Sequence, residues 1–317
     1  MIVRPRLSAI GLVATLMMFL GGCDDTGDEG ASAVRHVFGR TGFGPGRFSY
    51  PRAAALSPDG HLYVVDKTAR IQCFTPEGER IAGWHMPDSA AGKPTGLGIG
   101  PDGRVYVADT HYARVMVFAP DGEQLAAIGS RGDGPGQFIM PTDVAVASDG
   151  TIFVSEYGGN DRVSKFGPDW RYLTSFGGPA TGEARLLRPQ SLVIAGDNTL
   201  WVADACNHRI CHFDADGTFL GAIGHSGAES GAIRYPYGLA VFSDGTLVVC
   251  EYGNNRLQRF NTAGRSLGVW GQAGRRRGQL AYPWAVEVSA DDRMFVVDSG
   301  NNRVQVVQAM EVKAWQP

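Results

Sequence analysis

Six prolines stand at nearly even intervals along the chain. Pro51, Pro94, Pro141, Pro189, Pro236 and Pro283 are separated by 43, 47, 48, 47 and 47 residues. An acid follows each proline by 15 positions (Asp66, Asp109, Glu156, Asp204, Glu251 and Asp298). An arginine follows each acid within four to six residues: Arg70, Arg114, Arg162, Arg209, Arg256 and Arg303. A period in the forties restricts the fold to a solenoid or a propeller, because one such unit cannot bury its apolar face without stacking on its copies.

Each copy parses into four short strands. In the second, "GLGIG" is followed by the turn "PDG", then "RVYVAD", the loop "THYA", "RVMVF", the turn "APDG" and "EQLAAIG". β-Branched and aromatic residues fill the runs and Asp-Gly turns divide them, as antiparallel hairpins require. The 44 glycines fit a chain rich in turns. The expected fold is all-β: six four-stranded antiparallel blades around a channel. The last copy stops after its third strand, near Val307, whereas "HVFGRTGFGPGRF" (36–48) parallels the end of copy two, "AIGSRGDGPGQF". An N-terminal strand is therefore expected to complete blade 6 and remove its open edge.

The pattern Pro-x-Gly, Asp-Gly, V-x-D and N-H-R-I-x-x-F, seen in "VADACNHRICHF", "VCEYGNNRLQRF" and "VVDSGNNRVQVV", resembles the NHL repeat. The resemblance runs over residues 37–307, with a shorter loop in blade 1 and an inserted residue in blade 3. It implies a six-bladed propeller over residues 36–310 with a C-terminal tail at 311–317.

Ahead of the repeats, Arg4 and Arg6 precede a mostly apolar run from Leu7 to Leu20, short for a spanning helix. The run ends in "LGGC", which resembles the bacterial lipobox. That resemblance implies a signal peptide over 1–22, covalent lipid on Cys23 and a chain held in the bacterial cell envelope outside the cytoplasm. Residues 23–35 are acidic and small and read as a flexible tether. Without residues 1–22 the chain keeps 27 basic against 32 acidic residues, a net charge near −5 that argues against a nucleic-acid partner. The triple Arg275–Arg277 reads as a solvated turn.

Chemistry is suggested first by "CNHRICHF", where Cys206, His208, Cys211 and His212 crowd together. The repeat absorbs the whole stretch. Cys211 aligns with Gln258 and Gln305, and His208 is the middle letter of the motif, where later copies carry Asn255 and Asn302. A strand also points Cys211 and His212 to opposite sides, against a shared metal or haem. A disulfide among Cys73, Cys206, Cys211 and Cys250 stays open. The acid–arginine pairs, present six times, read as braces of one loop type.

Function is expected at the end of the ring bearing the connectors, where the copies differ most. The residue after each proline begins the innermost strand, giving Arg52, Gln190, Tyr237 and Trp284 near the channel mouth, while Asp143 puts a charge one position deeper. Tyr157 and Tyr252 share that end. Large aromatics beside Arg and Gln suit a recognition surface for an envelope protein or a small ligand. The expectation is a non-catalytic binding or scaffolding module without cofactor or metal. The alternative is a metal-dependent hydrolase or lyase, lactonase-like or peptidyl-amide-lyase-like; His85, His111 and His208 are the tempting ligands, but their spacing around the blades falls short of the three convergent ligands that a catalytic zinc needs.

Overall fold

The computed structural model describes residues 29–90 and 92–315, so the expected signal peptide and Cys23 lie outside the described residues. Six four-stranded sheets form, and five follow chain order. Blade 1 runs Pro51–Leu56, Leu62–Asp66, Arg70–Phe74 and Arg80–His85. Blades 2 to 5 repeat the arrangement, with inner strands Gly96–Ile99, Met140–Val146, Pro189–Ile194 and Pro236–Val241. Blade 6 has Pro283–Val288 innermost, then Arg293–Asp298 and Arg303–Gln308. Its fourth strand is Val34–Phe38, antiparallel to the third, with Val37 opposite Gln305 and Phe38 opposite Val304.

The hairpin turns fall where Asp-Gly pairs occur. Gly103, at φ 81°, takes a left-handed conformation that a side chain would strain. Third-strand phenylalanines then bury against the preceding blade. Phe74 packs with Phe295 and Val297 of blade 6, Phe118 with Val65 and Ile71 of blade 1, and Phe213 with Phe153 of blade 3. The core is thus six wedges between blades, each closed by its two neighbours.

The chain is ordered earlier than the composition suggests. Glu29–Ser32 is a short helix, and Ala33 and Val34 are buried in the wedge between blades 5 and 6. The tether expected up to residue 35 is corrected here, because Ala33 and Val34 supply apolar surface that the closing blade needs. Arg277 of the triple holds the carbonyls of Val34 and Arg35, while Arg275 and Arg276 are exposed. At the other end Trp315 folds back edge-on to Phe242 at 5.9 Å.

Candidate functional site

One end of the ring carries both the loops between second and third strands and the long connectors between blades, and the six acid–arginine pairs bind them together. Arg303 meets Asp298 at 2.7 Å, Arg256 meets Glu251 at 2.8 Å, and the other four pairs lie at 2.7–2.9 Å. The acids are at most 1% exposed. All but Asp109 also serve the connector: Asp298 accepts from the Ala281 N–H, Glu251 from the Arg234 N–H and Asp204 from the Leu187 N–H. Arg303 in turn donates to the carbonyls of Arg276 and Gln279. Burial pushes the carboxyls of Asp298 and Glu251 up, against these hydrogen bonds. These brackets fix the connectors, as their sixfold recurrence predicts.

The same end shows backbone strain. Tyr50, Arg188, Tyr235 and Tyr282, each just before a proline, have φ between 51° and 56°. Non-glycine residues in this region cost on the order of 1–3 kcal/mol unless their surroundings hold them. The preceding blade holds each one. Asn302 accepts the Tyr50 N–H at 2.6 Å, Asn255 the Tyr282 N–H at 2.7 Å, and Asp161 the Arg188 N–H at 2.7 Å. In blade 4 the acceptor is the Nδ1 of His208, 3.1 Å from the Tyr235 nitrogen. The middle position of the repeat motif is therefore a strap between blades.

The straps present an aromatic cluster around the channel mouth. Tyr237 stacks on Tyr252 with centroids 4.5 Å apart. Trp284 stands edge-on to both, at 4.9 and 5.7 Å, and Tyr50 adds an edge contact at 5.7 Å. The Tyr50 and Tyr252 hydroxyls are 3.3 Å apart, and Tyr282 leans on Tyr252 at 5.1 Å. Arg52 lies over the Trp284 ring at 5.3 Å, and Arg188 over Tyr157 at 4.9 Å. Burial lowers the affinity of the Arg52 guanidinium for its proton and raises the Tyr50 and Tyr237 phenols.

Below the mouth is a central cavity of about 230 Å³ lined by the six inner strands. Arg52, Asp143, Gln190, Tyr237 and Trp284 all line it, as placed from the sequence. Tyr252 backs Tyr237, and Tyr157 sits on the rim with Arg188. The sequence reading missed Tyr50, Tyr282, Arg188 and above all Glu287. Glu287 is the only acid at its repeat position, where the other copies have Ala55, Gly98, Ala145, Val193 and Ala240. That lone charge was a usable signal.

Asp143 is open to the cavity yet surrounded by protein, and burial raises its carboxyl to about 7 against the hydrogen bond from the Leu192 N–H, 3.1 Å away. Glu287 is raised well above the carboxylate range by burial and then by the charge of Asp143, while the Leu56 N–H lowers it. The inner strands are tightly drawn together here: a Cβ on Gly96 would overlap the backbone of Thr142 and Asp143, and one on Gly238 that of Ala285.

The histidines and cysteines do not converge. His212 stacks on Trp201 at 3.8 Å and meets the Thr199 hydroxyl, while Cys211 is buried on the other side against Asp204. Cys73, Cys206, Cys211 and Cys250 are free. His85 is exposed on an outer strand, and the Nδ1 of His111 accepts from the Lys93 N–H. Among the described residues no group of three or more His, Cys, Asp or Glu side chains is placed to hold a metal ion.

The 6-bladed beta-propeller pattern matches residues 100–162, and the NHL repeat matches 186–213 and 234–260. No curated protein matches the chain in sequence. Among solved structures, a streptogramin B lyase aligns with TM-score 0.63 at 16% identity, covering 86% of this chain and 96% of its own. Virginiamycin B lyase from Staphylococcus aureus gives 0.60 at 13%, covering 82% and 95%. A gluconolactonase from Xanthomonas campestris gives 0.61 at 17%, covering 82% and 86%. At these identities the likeness is one of fold.

Proposed function

The chain is a six-bladed β-propeller in which two stretches match the NHL repeat, and on that premise we propose that it is a recognition module of the bacterial envelope, lipid-anchored through Cys23, that captures its ligand without catalysis. The observation that carries the reading is the mouth itself. Six aromatic side chains and two arginines are gathered over a cavity and held by straps from neighbouring blades. Aromatics offer much contact area at low entropic cost and make the anchors of binding surfaces. Metabolic labelling with a palmitate analogue is expected to mark the wild type and not Cys23→Ala; labelling that persists in the variant rejects the anchor. For a partner recovered by envelope pulldown, Trp284→Ala is expected to weaken binding by about 2 kcal/mol, roughly 30-fold. Unchanged affinity places the surface elsewhere.

A metal-dependent hydrolase or lyase is the second reading, favoured by the similarity of the fold to lyases and a gluconolactonase. Metal analysis of the purified chain, with turnover of lactones and of an amidated-peptide precursor assayed before and after chelation, separates the two. Stoichiometric metal together with chelator-sensitive turnover replaces the binding reading with this one.

A further inference from the structure

Most polar side chains around the mouth are already engaged. The Thr95 hydroxyl donates to the Thr142 carbonyl at 3.0 Å, and the Thr142 hydroxyl to that of Pro189 at 2.8 Å. Two donors are idle: Gln190 is 7% exposed with its Nε2 unpartnered, and the Nε of Arg52 is also without an acceptor. They belong to blades 1 and 4, opposite each other in a ring of six, and both line the cavity. An idle donor buried beside a cavity costs about 1–3 kcal/mol, a cost that a ligand oxygen removes.

The acids show the complementary deficit. Asp143 on blade 3 and Glu287 on blade 6 also face across the ring, and among the described residues no cation pairs with either. Glu287 accepts the Leu56 N–H alone, while Asp143 is held by the backbone of Leu192, Val144 and Leu97 and by the Ser191 hydroxyl, so what both acids lack is a cation. A strand rises about 3.3 Å per residue. Asp143 is one position beyond the Arg52–Gln190 level and Glu287 three, so the acids lie roughly 3 and 10 Å deeper.

We propose that the cavity binds a free α-amino acid with an apolar side chain. Its carboxylate sits between Arg52 and Gln190, its ammonium group faces Asp143 with Glu287 beneath, and its side chain lies against Tyr237 and Trp284. The short axial step from Arg52 to Asp143 matches a ligand whose two charges are separated by one carbon. The proposal rests on the reading of the mouth as the binding site, and names what that site takes.

Calorimetric titration of the full chain with L-phenylalanine and L-leucine tests it, using N-acetyl-L-phenylalanine and L-phenylalaninamide as probes lacking one charge each. At least one free amino acid is expected to bind at a single site, with each blocked analogue weakened tenfold or more. Asp143→Asn and Arg52→Gln are each expected to weaken binding at least tenfold while the thermal transition stays cooperative. Should Asp143→Asn fail to fold, Glu287→Gln replaces it, with a smaller loss expected. Absence of binding by both amino acids at millimolar concentration overturns the proposal, and so does equal affinity for the acetylated analogue. If Trp284→Ala still loses a pulldown partner in that case, the recognition module stands and only the identity of its ligand falls.

Discussion

Arginine and carboxylate side chains occur in two places at the same end of this ring, and they behave in opposite ways. In the brackets, Asp298 and Arg303 face each other at 2.7 Å, and their remaining valences are filled by connector backbone. In the channel, Arg52, Asp143 and Glu287 line one cavity without an ion pair among them. Pairing cancels much of the cost of burial, whereas an unpaired buried charge keeps it. Charges that repeat with the blades therefore hold the fold together. Charges that occur once, and are left unmatched, mark the place where something else must supply the match.

The sharpest way to break this comparison is to unpair a bracket. Asp298→Ala leaves Arg303 without its carboxylate and the Ala281 N–H without its acceptor, and a loss of about 3–5 kcal/mol is expected in denaturant unfolding. A loss under about 1 kcal/mol would make the brackets ornamental. Cutting a strap should cost less: Asn255→Ala removes one acceptor from a strained Tyr282, and about 1–2 kcal/mol is expected in the same measurement. No change would mean that the left-handed residues are held by other contacts.

The channel acid should act with opposite sign, and its effect is read as a slope of stability against pH. Because the Asp143 carboxyl is raised to about 7 in the folded chain and titrates near 4 when unfolded, its contribution is fully present below about pH 4 and lost as pH rises to about 7. Asp143→Asn is therefore expected to flatten the fall in melting temperature between those values. A variant with the slope of the wild type would show that Asp143 is not the group responsible.

The brackets and blades were legible because repetition averages out local ambiguity. Six acids at one spacing, each followed by an arginine, could be read without coordinates, and so could His208, which the pattern turns from a metal ligand into a strap. Asp143 stood out as an exception at a position shared with Gly96 and Gly238. What the pattern hid was contact between copies. Tyr50 and Tyr282 precede their prolines in the connectors, yet a bond from the previous blade turns them onto the mouth. Glu287 sits at an alternating strand position that in an ordinary sheet would face water. The helix at Glu29–Ser32 was masked by an acidic, glycine-rich composition, since its order comes from the wedge that receives Ala33 and Val34.

The pairing of Val34–Phe38 with Arg303–Gln308 joins one of the first described segments to one of the last. During synthesis the segment that seals the ring precedes all six blades and must wait for the last of them before its partner exists. Until then blade 6 has no finished sheet, and the wedge between blades 5 and 6 lacks Val34 and Val307. Contacts this distant along the chain slow folding, because loop closure has to come before their reward. The ring therefore closes only once the sixth blade exists, and a chain cut before Arg303 is left with an open seam.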